Sequence, residues 1–149
     1  MQKSPAAFFQ NKIFLVGGSQ VDASVFSNQV RAYDPMTESW TDLSEGVPWS
    51  ARMGHAITSY NGRLWVTGGV DANGNTLKDV HYTEDGKTWT AGCDLPEPMC
   101  FHALEGYTFT SGPTQIDRLW LYAGLNTPAG KPYTNMWYWP DAGQWKKLS

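Results

Sequence analysis

A chain of 149 residues is the length of one ordinary domain and is long enough to bury a core of its own. Charged residues make up 17% and aromatic residues 14%, with eight tryptophans, a balance that excludes a disordered chain and suits β-structure with large side chains between layers. The net charge of −3, with no basic cluster beyond Lys146-Lys147, argues against capture of nucleic acid or of an anionic membrane surface, and no apolar run approaches the ~18 residues of a membrane-spanning helix.

The N-terminal run MQKSPAAFFQNK lacks the apolar stretch of a signal peptide, so the chain is either cytosolic or a piece without its leader. It leads into NKIFLVGG at 11–18, where Lys12 is followed by an aliphatic, an aromatic and an aliphatic residue and the run ends on Gly17-Gly18. A polar loop follows, then Tyr33, with Trp40 seven residues later. The second stretch repeats the first. GHAITSYN leads to Asn61-Gly62, a dipeptide that favours positive φ in a tight hairpin turn. Arg63-Leu64-Trp65-Val66 then runs to Gly68-Gly69, and Tyr82 and Trp89 follow. The third stretch carries a hairpin eight residues longer ahead of Arg118-Leu119-Trp120-Leu121. It ends on Ala123-Gly124 in place of a glycine pair, and Tyr138 and Trp145 close it.

Gly18, Gly69 and Gly124 lie 51 and 55 residues apart, and the Tyr-x6-Trp interval is kept in all three units while the residues inside it differ. No stripe at helical spacing persists, and Gly or Pro punctuates the chain throughout. Each unit therefore predicts four short antiparallel strands: the second ends at the glycines, the third carries the tyrosine and the tryptophan opens the fourth. A period near 50 with four strands per unit is that of a propeller blade. The expected fold is all-β, a β-propeller segment of three four-stranded blades at about 4–46, 47–95 and 96–149, half of a six-bladed ring.

These residues resemble the Kelch repeat, in which a glycine pair ends the second strand and a spaced Tyr and Trp follow. The resemblance covers about Ala6 to Leu148, with the third unit departing at Ala123-Gly124 and at an extra Trp139. It implies that Tyr33, Trp40, Tyr82, Trp89, Tyr138 and Trp145 pack between neighbouring blades as core. HYTEDGKTWT and PWSARMGHA are similar to bacterial Kelch and galactose-oxidase-central-domain-like proteins, which implies a secreted or periplasmic setting, with a cytoplasmic one left open. TEDGKTW at 83–89 is similar to an Asp-box one residue short, a structural turn. Closed propellers have about four to eight blades. Three blades imply either a piece of a longer propeller or a homodimer, blade 3 of each copy packing on blade 1 of the other to close a six-bladed ring.

In such a fold the loops between strands 2 and 3 (19–28, 70–79, 125–135) and between strands 4 and 1 (44–52, 93–101) converge on one face. They are polar and rich in Gly, Asn and Pro, so this is the expected binding face. Trp49 and Arg52, an aromatic and a guanidinium on one loop, suit a sugar or a carboxylate, with Asp71 and Asn73 beside them. The alternative is that Trp49 packs over the blade edge while Arg52 pairs with a nearby carbonyl or carboxylate. His55 and His102, at equivalent places in their units, are expected to be hydrogen-bonded structural residues, since two histidines without a third ligand make no metal site. Turn chemistry accounts for Asp71, Asp79 and Asp85 without a calcium loop.

Cys93 and Cys100 flank DLPEPM, either as a short disulfide loop or as two small apolar residues, the second being preferred. No Gly-x-Ser-x-Gly elbow, phosphate loop, copper set or arginine triad is present, so no catalytic residue, metal or cofactor is assigned. The function expected is a non-enzymatic module binding a protein or glycan through these loops. A part of a carbohydrate-active enzyme, sialic-acid epimerase-like or oxidase-like, is the alternative, and a purely architectural repeat a third.

Overall fold

The computed structural model describes residues 4–20, 25–140 and 143–148, and within them the chain is strand, turn and loop. β1 (Ala6–Phe9), β2 (Lys12–Ser19), β3 (Phe26–Asp34) and β4 (Ser39–Asp42) form an antiparallel meander, blade 1. After the two-residue β5 (Arg52–Met53), β6 (Ala56–Tyr60), β7 (Arg63–Asp71), β8 (Thr76–Thr83) and β9 (Trp89–Ala91) repeat it as blade 2. Blade 3 is β10 (Cys100–Ser111), β11 (Thr114–Leu125), β12 (Met136–Trp139) and β13 (Lys146–Lys147).

The hairpins follow from local chemistry. Gln10-Asn11 and Asn61-Gly62 each place two residues at positive φ (49° and 60°, 50° and 70°), the geometry that matches the twist of the flanking strands. β10 and β11 stay paired from Cys100↔Leu125 out to Ser111↔Thr114, closed by Gly112 at φ 62° and Pro113, and this is the longer hairpin of the third unit.

Alternation along each strand sends successive side chains to opposite faces, so the core lies between blades. Phe14, Val16, Val30 and Ala32 of blade 1 pack against Leu64 and Val66 of blade 2. Trp65 and Val80 of blade 2 pack against Leu104, Leu119, Leu121 and Trp137 of blade 3. β5 stitches the first two blades into one nine-stranded sheet, Arg52 pairing with Ser27 of β3 and with Asp71 of β7.

The glycine pairs sit at β-bulges, where the ladder shifts between Val16 and Gly18 and between Thr67 and Gly69. A Cβ on Gly17 would lie 2.8 Å from His55 Cε1. One on Gly68 would lie 2.6 Å from the Met99 carbonyl oxygen and 2.9 Å from His102 Cε1. The glycines thus let the histidine at the start of the next blade lie against the backbone, at φ values of 54° and 57°.

The repeat aromatics depart from the uniform core expected of them. Trp89 and Trp145 are half-buried, each turned toward the preceding blade and packed on its core. Trp40 occupies the same place on the outer face of blade 1, and it is 48% exposed. The tyrosines do not form one set. Tyr82 pairs with Trp65 and Tyr138 with Trp120, on the face turned toward the following blade. Tyr33 pairs with Ile13 and Trp40, on the opposite face. The cause is turn length: residues 35–38 join β3 to β4, whereas 84–88, one residue more, join β8 to β9. An equal sequence interval therefore spans two registers. Arg63 and Arg118, the basic residues opening the second strands, lie over the Tyr82 and Tyr138 rings at 4.4 and 4.3 Å.

Candidate functional site

The loop face is built around an ion pair between buried Arg52 and half-buried Asp79. Arg52 is 1% exposed. Its two terminal nitrogens donate to both oxygens of Asp79 at 2.7 Å, one of them also donates to the Gly68 carbonyl at 3.0 Å, and Nε donates to the Ser50 carbonyl at 3.2 Å. Asp79 also accepts from His81 Nε2 at 2.9 Å. Burial alone raises a carboxyl pKa, but the bonds from His81 and Arg52 and the Arg52 charge outweigh it, holding Asp79 well below the usual carboxylate range. This bidentate latch ties the loop between blades 1 and 2 to β8.

Trp49 and Arg52 are therefore not a ligand-facing pair. Arg52 has its donors committed to Asp79 and to two carbonyls. Trp49, 4% exposed, packs edge-on against Trp89 at 4.5 Å and against His81 at 5.4 Å inside the blade 1/blade 2 core. Asp79 is likewise no turn residue: it stands on β8, two residues from His81 and on the same face. That i, i+2 spacing was the readable sign of the His81 partnership, which the sequence analysis does not include. Asp71 does cap its own turn, one oxygen accepting the Asn73 and Asn75 amides at 2.9 Å, and Asn73 stands exposed beside it. Asp85 accepts the Lys87 and Thr88 amides at 2.8 and 2.7 Å, as an Asp-box-like turn requires.

The two blade-opening histidines are structural. His55 Nε2 donates to the Val16 carbonyl at 2.9 Å, and His102 Nε2 lies 2.8 Å from Thr67 Oγ1, so each bonds to the blade before its own. Burial pushes His55 down to about 4 and His102 to about 3, so both are neutral at pH 7. Cys93 and Cys100 are free thiols, and Cys100 is buried with Sγ 3.6 Å from the Leu125 carbonyl oxygen. Among the described residues no three His, Cys, Asp or Glu side chains gather in a set that holds a metal ion.

What this face does offer is an exposed aromatic that the sequence analysis overlooked. Phe101, the second residue of β10, where the pairing with β11 skips from Cys100 to His102, is 49% exposed and held at φ 54°, a backbone region costly for a bulky residue. Its amide donates to the Gly54 carbonyl at 2.6 Å, and its ring lies so close that a Cβ on Gly54 would be 2.8 Å from Cε1. The end of β2 and the start of β3 line a cavity of about 290 Å³ with Ser19, Ser27, Asn28 and Gln29, together with Gln20 of the loop that joins them. Residues 21–24 of that loop lie outside the described residues.

Comparison with known proteins places these features in context. The Kelch motif family matches residues 4–46. The chain is 30% identical over 132 residues to N-acetylneuraminate epimerase of Shigella flexneri serotype 5b, covering 83% of this chain and 35% of that protein. The Escherichia coli K12 protein of the same name is 30% identical over 131 residues, 82% of this chain and 34% of its own length. Beta-scruin of Limulus polyphemus is 29% identical over 116 residues, 72% of this chain and 12% of that protein. Among solved structures, that of YjhT superposes with a TM-score of 0.73 at 19% identity, over 99% of this chain and 51% of that one. The chain thus spans about a third of the length of the epimerases it matches and about half of the solved chain.

Proposed function

We propose that this Kelch-repeat β-propeller segment is a binding module that takes a protein or glycan on its strand 2–3 and strand 4–1 loops. Phe101 carries the proposal. A half-exposed ring held at positive φ costs stability, and it is retained on the face where an aromatic surface can stack on a sugar ring or an apolar side chain. Asn73 and the polar wall formed by Ser19, Gln20 and Asn28 supply hydrogen-bonding groups on the same side of the blades. The names of the epimerase relatives favour the glycan as ligand.

The test is binding to a glycan array and to N-acetylneuraminate by calorimetry, with Phe101→Gly and Asn73→Ala set against Met36→Ser, an exposed change in the turn between β3 and β4. Phe101→Gly is expected to raise the melting temperature by relieving the strained φ, while weakening binding by about tenfold or more. Affinity left unchanged by both the Phe101 and the Asn73 variants would mean that the ligand uses another surface.

The relatives' name supports one further reading, that the segment is part of a carbohydrate-active enzyme whose site is completed by further blades. Interconversion of N-acetylneuraminate epimers, followed by NMR with the chain present and absent, separates it from the binding module. Equal rates in the two samples leave the binding reading alone.

A further inference from the structure

We propose that the two open faces of this chain fit each other, so that blade 3 of one copy packs on blade 1 of a second and two copies close a six-bladed ring. The inference rests on the propeller reading and is independent of any ligand. Blade 1 shows solvent one continuous apolar row across its four strands: Phe8, Ile13, Tyr33 and Trp40 are register partners in turn. Phe8 is 61% and Ile13 38% exposed. The matching row of blade 2 is Ser59, Leu64, Thr83 and Trp89, less apolar and yet packed against blade 1 at Leu64 and Trp89, with Thr83 buried between them and Ser59 exposed at the edge. A richer apolar row left open marks a face made to be covered. At the other end, Trp120 and Tyr138 repeat the Trp65–Tyr82 pair that blade 2 turns toward blade 3.

The clamp between blades says what covers it. At both internal seams a glycine at positive φ receives the histidine that opens the next blade: Gly17 receives His55, and Gly68 receives His102. The third unit has Ala123 at that place, exposed and at φ 58°. A histidine-type blade would meet its Cβ at the separations forbidden to Gly17 and Gly68. Blade 1 of this protein carries Ser4 there, eight residues before Lys12 as His55 is eight before Arg63. The larger residue on one side is thus matched by the smaller one on the other, and the blade that suits Ala123 is the chain's own first blade.

Size-exclusion chromatography with light scattering on the 149-residue chain is expected to give twice 16.6 kDa. A monomer at roughly 100 µM, or an assembly that grows with concentration, would overturn the proposal. Trp40→Glu and Tyr138→Glu, checked for retained β-structure by circular dichroism, are each expected to be monomeric. A mixture of the two retains one unaltered seam and recovers a dimer, as the pairing of blade 1 with blade 3 requires. Should either fail to fold, the clamp still tests the seam. Ser4→His is expected to weaken the dimer by about tenfold, and adding Ala123→Gly to restore it. A dissociation constant unmoved by Ser4→His would overturn the seam. Loss of ligand binding with the mass unchanged would count against the binding module alone.

Discussion

Histidine and glycine make one joint in this protein, and the joint sets two expectations. His55 and His102 are buried neutral, with pKa values pushed from 6.5 to about 4 and about 3 by desolvation. In the unfolded chain they take up protons that the folded state refuses. Stability is therefore full above pH 6.5 and falls as pH drops toward 4, by up to about 1.4 kcal/mol per pH unit for each histidine. The carboxylates with lowered pKa act in a lower window, below their ordinary 3.8, so they do not contribute between pH 7 and 5. Urea midpoints at pH 7 and pH 5 test this: the lower pH should unfold earlier, and His102→Gln should flatten the difference. On the glycine side, Gly68→Ala drives a Cβ toward the Met99 carbonyl at positive φ, whereas Gly74→Ala meets open space at a similar φ. Both lose about 1 kcal/mol to the backbone, and Gly68→Ala should lose roughly 2 kcal/mol more to the clash. Equal midpoints for the two would show that the Met99 carbonyl and His102 can move aside.

At the scale of the element, turns decide which way a strand faces. The 84–88 turn is held by Asp85, which accepts two amides and the Thr83 hydroxyl. Asp85→Ala should cost about 1–2 kcal/mol in thermal or chemical unfolding, with the loss concentrated in amide-exchange protection of β9. Protection lost evenly over all blades would contradict that local role. The 35–38 turn, one residue shorter, is what moves Tyr33 onto the face of Trp40. Period and spacing in the sequence located the three four-stranded units. The second strands run past the glycines, to Ser19, Asp71 and Leu125, because the first two glycine pairs sit at bulges and do not end the ladder. Neither period nor spacing could report the change of face, because a strand has a two-residue period and a one-residue difference in a turn inverts it.

For the whole molecule, the core of the described residues is divided into two inter-blade layers, and blades 1 and 3 each show an outer face to solvent. If a second copy covers both outer faces, unfolding is coupled to dissociation, and the melting temperature should rise as protein concentration is raised about a hundredfold. A melting temperature that stays constant over that range marks a chain stable with its end faces open. The Arg52–Asp79 latch belongs to this scale as well, because it fixes the loop between two blades. Arg52→Met should cost about 2 kcal/mol by leaving part-exposed Asp79 with His81 but without the guanidinium, a loss read from the urea midpoint.

What the sequence determined by itself was everything carried by short-range periodicity: three units, four strands in each, the hairpin turns and the longer third hairpin. The tertiary structure alone decided which side chains the seams consume. Trp49 and Arg52 sit on a polar loop and look available, yet Trp89 from one direction and Asp79 and Gly68 from another bury them. Phe101 sits beside buried Cys100 and His102 and looks like core, yet its positive φ turns it out. Strand pattern is local and so is written in neighbouring residues; burial depends on residues tens of positions away, and only the packing of one blade on the next brings them together.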